Sequence, residues 1–106
     1  MASPSSPGVS RLLDAEKRAD EITLRAREEA ERIVADARKR AGQILAGEGA
    51  GAEGDHEAAR IRREADAEKT RIARETRLHI EHIRKLAESR RAEALERLVK
   101  ALFGQS

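Results

Sequence analysis

The side chains that first invite a chemical reading are two histidines. His79 and His82 stand three residues apart, so on a helix they share one face and could approach one metal ion. A metal centre needs more ligands than that. The chain has no cysteine, and no further ligand set is arranged around the pair. They read as solvated histidines on a charged helix, beside Ile80 and Ile83. The glycine-rich segment 47–54, GEGAGAEG, lacks the Gly-Lys-Ser/Thr ending of a phosphate-binding loop and follows no strand. No Ser/His/Asp constellation has a scaffold to hold it, and a helical rod offers no concave pocket. The expectation is therefore a non-enzyme with no catalytic residue, no cofactor site and no metal ligand.

What recurs in the sequence is a pattern of small and apolar residues. Ala15, Ala19, Ile22, Ala26, Ala30, Ile33, Ala37, Ala41 and Ile44 follow one another in steps of four, three and four. Ala15, Ala26 and Ala37 are thus related by eleven residues, as are Ala19, Ala30 and Ala41, and Ile22, Ile33 and Ile44. An eleven-residue repeat has ~3.67 residues per turn, which favours a right-handed supercoil. Alanine in two of the three lanes allows a neighbouring helix to come close. Further along, Ile61, Ile72, Ile83 and Ala94 keep the same period, as do Ala65, Thr76, Ala87 and Leu98. A third lane, Ala58, Lys69, Ile80, Arg91 and Leu102, carries two charges. Ile44 to Ile61 is seventeen residues, so the stripe changes phase across the glycines.

The elements that must carry these lanes follow from composition. Of 106 residues, 40% are charged and 1% aromatic, with Phe103 the single aromatic. Ala, Glu, Arg, Lys and Leu dominate, all strong helix formers. Large apolar side chains are too few and too spread out for a small globular core. The formal net charge is only +2, from 22 basic and 20 acidic residues. The two signs are interleaved, which argues against a nucleic-acid tail. No apolar run approaches the ~20 residues of a membrane span, and the first eight residues have neither the basic nor the apolar region of a signal peptide. The absence of cysteine fits a reducing compartment.

Helix punctuation divides the chain. Residues 1–9 read as a disordered tail, with Ser6 before Pro7, or Ser10, as the first cap. Residues 10–46 form a first helix and 55–103 a second, on the order of 55 and 70 Å long. Four glycines in 47–54 should melt, bend or loop the chain between them, with Asp55 as the next N-cap and Glu57 in the first turn. Gly104 ends the second helix and opens a tail at 104–106. Six acid-to-base pairs in the favourable i,i+4 order support helix in water: Glu21–Arg25, Glu28–Arg32, Asp36–Arg40, Glu81–Lys85, Glu93–Arg97 and Glu96–Lys100. Leu95, Leu98, Val99, Leu102 and Phe103 crowd into about two turns, too apolar for a solvated helix end, and suit docking into a globular partner.

The fold class expected is all-α: a long amphipathic helix in two segments around the glycine-rich break, forming a right-handed coiled coil with a partner protein. The partner-facing residues would be Ala15, Ala19, Ile22, Ala26, Ala30, Ile33, Ala37, Ala41, Ile44, Ile61, Ile72 and Ile83.

Residues 8–22, GVSRLLDAEKRADEI, resemble the N-terminal signature of the G subunit, also called H, of the V-type and A-type ATPases. Gly8, Val9, Leu12, Leu13, Ala15, Glu16, Lys17 and Ala19 fall at the pattern's positions. RAREEA at 25–30, ADAR at 35–38 and RAEALERLVKAL at 91–102 also resemble the family, so the likeness covers most of the chain. The glycine segment departs from the family's continuous helix. The resemblance implies a peripheral-stalk (stator) protein that pairs with the E subunit of the same ATPase in a right-handed coiled coil. It implies contact with the catalytic head and the membrane motor of a rotary ATPase, on the cytoplasmic side, without catalysis. Two other readings compete. One is a homodimeric coiled-coil scaffold or adaptor. The other is the b-type stalk component of F-type ATP synthases, which normally carries an N-terminal membrane helix that this sequence lacks.

Overall fold

A computed structural model describes residues 7–47, 49 and 51–104, and within them the chain is two α-helices. Helix α1 runs Pro7–Ala46 and α2 runs Gly51–Phe103, with 40 and 53 residues. Helix α1 begins three residues before the expected start. Pro7 occupies the first helical position, where its missing N–H costs no hydrogen bond. Ser10 therefore lies inside α1 and is not its cap; Ser6, the other candidate, lies outside the described residues.

The break is shorter than the glycines suggested. Gly47 donates its N–H to the Ile44 carbonyl at 3.2 Å, tightening the end of α1. Gly49 and Gly51 then take φ of +75° and +49°, the left-handed region that glycine enters without steric cost. Helix α2 starts at Gly51 and absorbs Gly54, which is buried. Asp55 and Glu57 consequently lie inside α2 rather than at its cap and first turn, and Glu53 is the acidic residue of that turn. At the other end, Gly104 donates its N–H to the Lys100 carbonyl at 2.8 Å. A Cβ at Gly104 would stand 2.9 Å from that same oxygen, so glycine suits the stop.

The chain divides into two units, and each takes a segment of both helices. Unit 1 comprises Met1–Ile22 and Arg77–Ser106. Within it Ala15 packs with Ile83 and Ala87, flanked by Leu12 and Ile22. Unit 2 is Thr23–Thr76 and contains the turn. Within it Ala37 packs with Ile61 and Ala65, flanked by Ile33 and Ile44. In unit 2 the chain reverses between Ala46 and Gly51, so α1 and α2 run antiparallel there.

This arrangement answers a need that the sequence assigned to another chain. The stripe of α1 requires a cover, and α2 of the same chain supplies it. The change of phase between Ile44 and Ile61 has the same cause: a chain that reverses direction need not keep its stripe in phase through the turn.

Candidate helix-pairing surface

The surface is built from alanine and isoleucine. Among the described residues the buried apolar positions are Ala15, Ala19, Ala30, Ala37, Ala41, Ala58, Ile61, Ala65, Ile72, Ile83 and Ala87, and no polar or charged side chain is buried. Of the twelve positions expected to face a partner helix, Ala15, Ala19, Ala30, Ala37, Ala41, Ile61, Ile72 and Ile83 are buried, and Ile22, Ala26, Ile33 and Ile44 are half-buried. The eleven-residue lanes thus mark the inward faces of both helices, and it is the two halves of one chain that cover one another. Ala58, Ala65 and Ala87 belong to the same surface, on lanes that the period also traces through α2.

The leucines tell the opposite story. Leu13, Leu24, Leu45, Leu78, Leu86, Leu95, Leu98 and Leu102 are exposed, and only Leu12 is half-buried. Burying an alanine removes a single methyl from water, worth ~0.8 kcal/mol, against ~1.5–3 kcal/mol for a large aliphatic side chain. The seam therefore rests mainly on its isoleucines, with alanine setting the close approach. Every residue from 95 to 104 is exposed. The expected docking group is part of this stretch, with Leu95, Leu98, Val99, Leu102 and Phe103 exposed by 47%, 54%, 54%, 65% and 78%. Their exposure rises towards the helix end, where the other helix leaves them uncovered.

Charges line the flanks. In unit 1, Arg84 donates from Nε and Nη2 to the two carboxylate oxygens of Glu16 at 2.7 and 3.0 Å, a bidentate pair across the helices. Those hydrogen bonds, aided by the positive charge of Arg84, hold the Glu16 carboxyl below its ordinary 4.5 although partial desolvation opposes them. Glu16 in turn raises the guanidinium of Arg84, chiefly through the same bonds. Along α2, Arg60 bonds Glu57 and Glu64, and Arg71 bonds Glu68 and Glu75. The two triads are the same motif displaced by eleven residues. Hydrogen bonding by the arginines lowers the carboxyls of Glu57 and Glu68 and raises both guanidiniums. The eleven-residue repeat of Glu-x-x-Arg-x-x-x-Glu was present in the sequence, whereas the Glu16–Arg84 pair had no local signal because 68 residues separate its members. Of the six i,i+4 pairs expected, Glu96–Lys100 closes, at 3.4 Å.

His79 and His82 are both placed on α2, His79 and His82 exposed, and among the described residues no group of three His, Cys, Asp or Glu side chains could hold a metal ion. The grooves beside the seam are floored by alanine and rimmed by charge, as where Ala37 and Ala65 lie between Arg38, Arg62 and Asp66. No helix among the described residues is long and apolar enough to cross a membrane. Comparison of the chain with protein-family models, with curated proteins and with solved structures finds no match.

Proposed function

We propose that this chain is a non-catalytic peripheral-stalk component of a rotary V-type or A-type ATPase, pairing through its alanine and isoleucine lanes with the E subunit of that machine. The observation that carries the proposal is the regular inward face of α1. Nine small or branched positions from Ala15 to Ile44 keep an eleven-residue period, and each is buried or half-buried against a helix of like pattern. A surface of this kind accepts a second helix and does no chemistry. The resemblance of residues 8–22 to the signature of the ATPase G subunit supplies the identity of the partner. In this reading the helix of the E subunit takes the place on α1 that α2 occupies, and the exposed group from Leu95 to Phe103 meets the catalytic head. The assembly would hold the head against rotor torque on the cytoplasmic side, attached to the membrane through the complex alone.

Co-expression with the E subunit, followed by light-scattering mass measurement, tests the proposal. A complex containing both chains is expected. A chain that elutes alone whether or not this stalk partner is present overturns the stalk assignment.

A further inference from the structure

The seam of unit 1 has two flanks of different character. At ~3.6 residues per turn, Asp14 and Glu16 leave opposite sides of Ala15, and Leu86 and Arg84 leave opposite sides of Ile83. On one flank Glu16 and Arg84 close an ion pair at 2.7 Å. On the other, Ala15, Ile83 and Ala87 floor an open groove. Leu86, 42% exposed, stands on its wall. Arg11, Arg18 and Arg90 rim it, with Asp14 as the carboxylate among them. These three arginines are exposed and close no ion pair among the described residues, whereas Arg60, Arg71 and Arg84 are all paired. The groove of unit 1 therefore holds three cations against one carboxylate. In unit 2 the charges come closer to balance. Arg38 and Arg62 stand with Asp66 beside Ala37 and Ala65, and an adjoining groove adds Lys69 and Glu31.

We propose that the groove of unit 1 takes an acidic amphipathic helix of another protein, laid beside α1 and α2 as a third helix. Charge complementarity chooses the occupant: the rim offers arginine without its counter-ion, and the planar guanidinium fork matches a carboxylate at two points. Spacing agrees with a helix. Arg11 and Arg18 are seven residues apart on α1, about 10.5 Å, so carboxylates two turns apart on a helix lying alongside would meet both. The floor agrees as well, because Leu86 and the alanine methyls offer apolar surface to a helix that carries its own apolar stripe. A phosphate backbone would satisfy the arginines and leave Leu86 in water. In this arrangement α2 stays on α1, so the inference needs the closed hairpin and not the stalk assignment.

The test titrates the full chain into a fluorescent synthetic peptide of about three heptads, with alanine and leucine on one stripe and glutamate on both sides of it. Anisotropy reads the binding. The natural chain should bind this peptide, and should not bind a version with lysine in place of every glutamate. An Arg11→Gln/Arg18→Gln/Arg90→Gln variant should bind about tenfold more weakly, as expected for the loss of three exposed charge pairs. Arg32→Gln/Arg63→Gln/Arg74→Gln removes the same charge from exposed positions in unit 2 and should change binding by less than about twofold. Leu86→Gln should weaken the peptide and leave helicity by circular dichroism unchanged, since Leu86 is 42% exposed. Equal losses in the two triple variants would mean that net charge, not this groove, attracts the peptide, and would sink the inference. Failure of the natural chain to bind the acidic peptide overturns it too. So does a single-stranded DNA of equal charge that displaces the peptide and is indifferent to Leu86→Gln, which would assign the arginines to phosphate.

Discussion

Alanine at the seam matters through what it leaves out. Ala41 is 0% exposed and Ala19 2%, so neither position has room for a larger side chain without parting the helices. Ala41→Leu should cost ~1–3 kcal/mol by overpacking, read from urea unfolding followed by circular dichroism. Leucine at exposed Ala73 should change stability by less than ~0.5 kcal/mol. Equal effects at the two sites would mean that the seam is not where the structure places it. The Glu16–Arg84 pair makes a prediction in pH. The Glu16 carboxyl is held below its ordinary 4.5, so its contribution is fully present above that value and is lost as pH falls through the lowered one. A Glu16→Gln variant should therefore be less stable than the natural chain at neutral pH, and the difference should vanish in strong acid. Both members are exposed, so the difference at neutral pH is small and shrinks with added salt.

The helices differ along their length in how much of them is held. The lanes of α1 are covered from Ala15 to Ile44, whereas the last nine residues of α2, 95–103, are all exposed. A helical segment whose side chains all stay in solvent frays first. Amide hydrogen exchange should be fast over 95–103 and slowest around Ile61, Ile72 and Ile83. Replacing Leu98, 54% exposed, with glutamate should shift unfolding by less than ~0.5 kcal/mol. The same change should weaken binding to any partner that takes up this apolar end. Large destabilisation of the isolated chain would show that Leu98 is packed. The limits of the elements were legible only in part. Gly104 ends α2 as its position in the sequence implied, because helix termination is local. Asp55 has the chemistry of an N-cap but not the position, because α2 incorporates Gly51 and Gly54 and begins four residues earlier. The cost of glycine in a helix is ~1 kcal/mol, small enough for tertiary burial of the kind seen at Gly54 to override.

For the molecule as a whole, the absence of any buried charge among the described residues sets how it responds to salt. At ~1 M salt the screening length is ~3 Å, which weakens the flanking ion pairs and leaves the apolar seam intact. Helicity by circular dichroism should change little between low and high salt, and a collapse would show that the charged flanks, not the lanes, hold the helices together. The sequence by itself determined the helices, their inward faces and the exposed apolar end, because each depends on periodicity and composition within a few turns. Residue type and eleven-residue spacing alone put Ala15, Ala37 and Ile83 on those faces. Only the tertiary structure decided which surface covers which. A lane of alanine and isoleucine accepts any helix of matching pattern, so covering by another chain and covering by α2 look alike in sequence. The choice between them rests on the backbone of a glycine segment that can be helix or turn, and positive φ at Gly49 and Gly51 resolves it as a turn. The Glu16–Arg84 pair exists only as a consequence of that reversal.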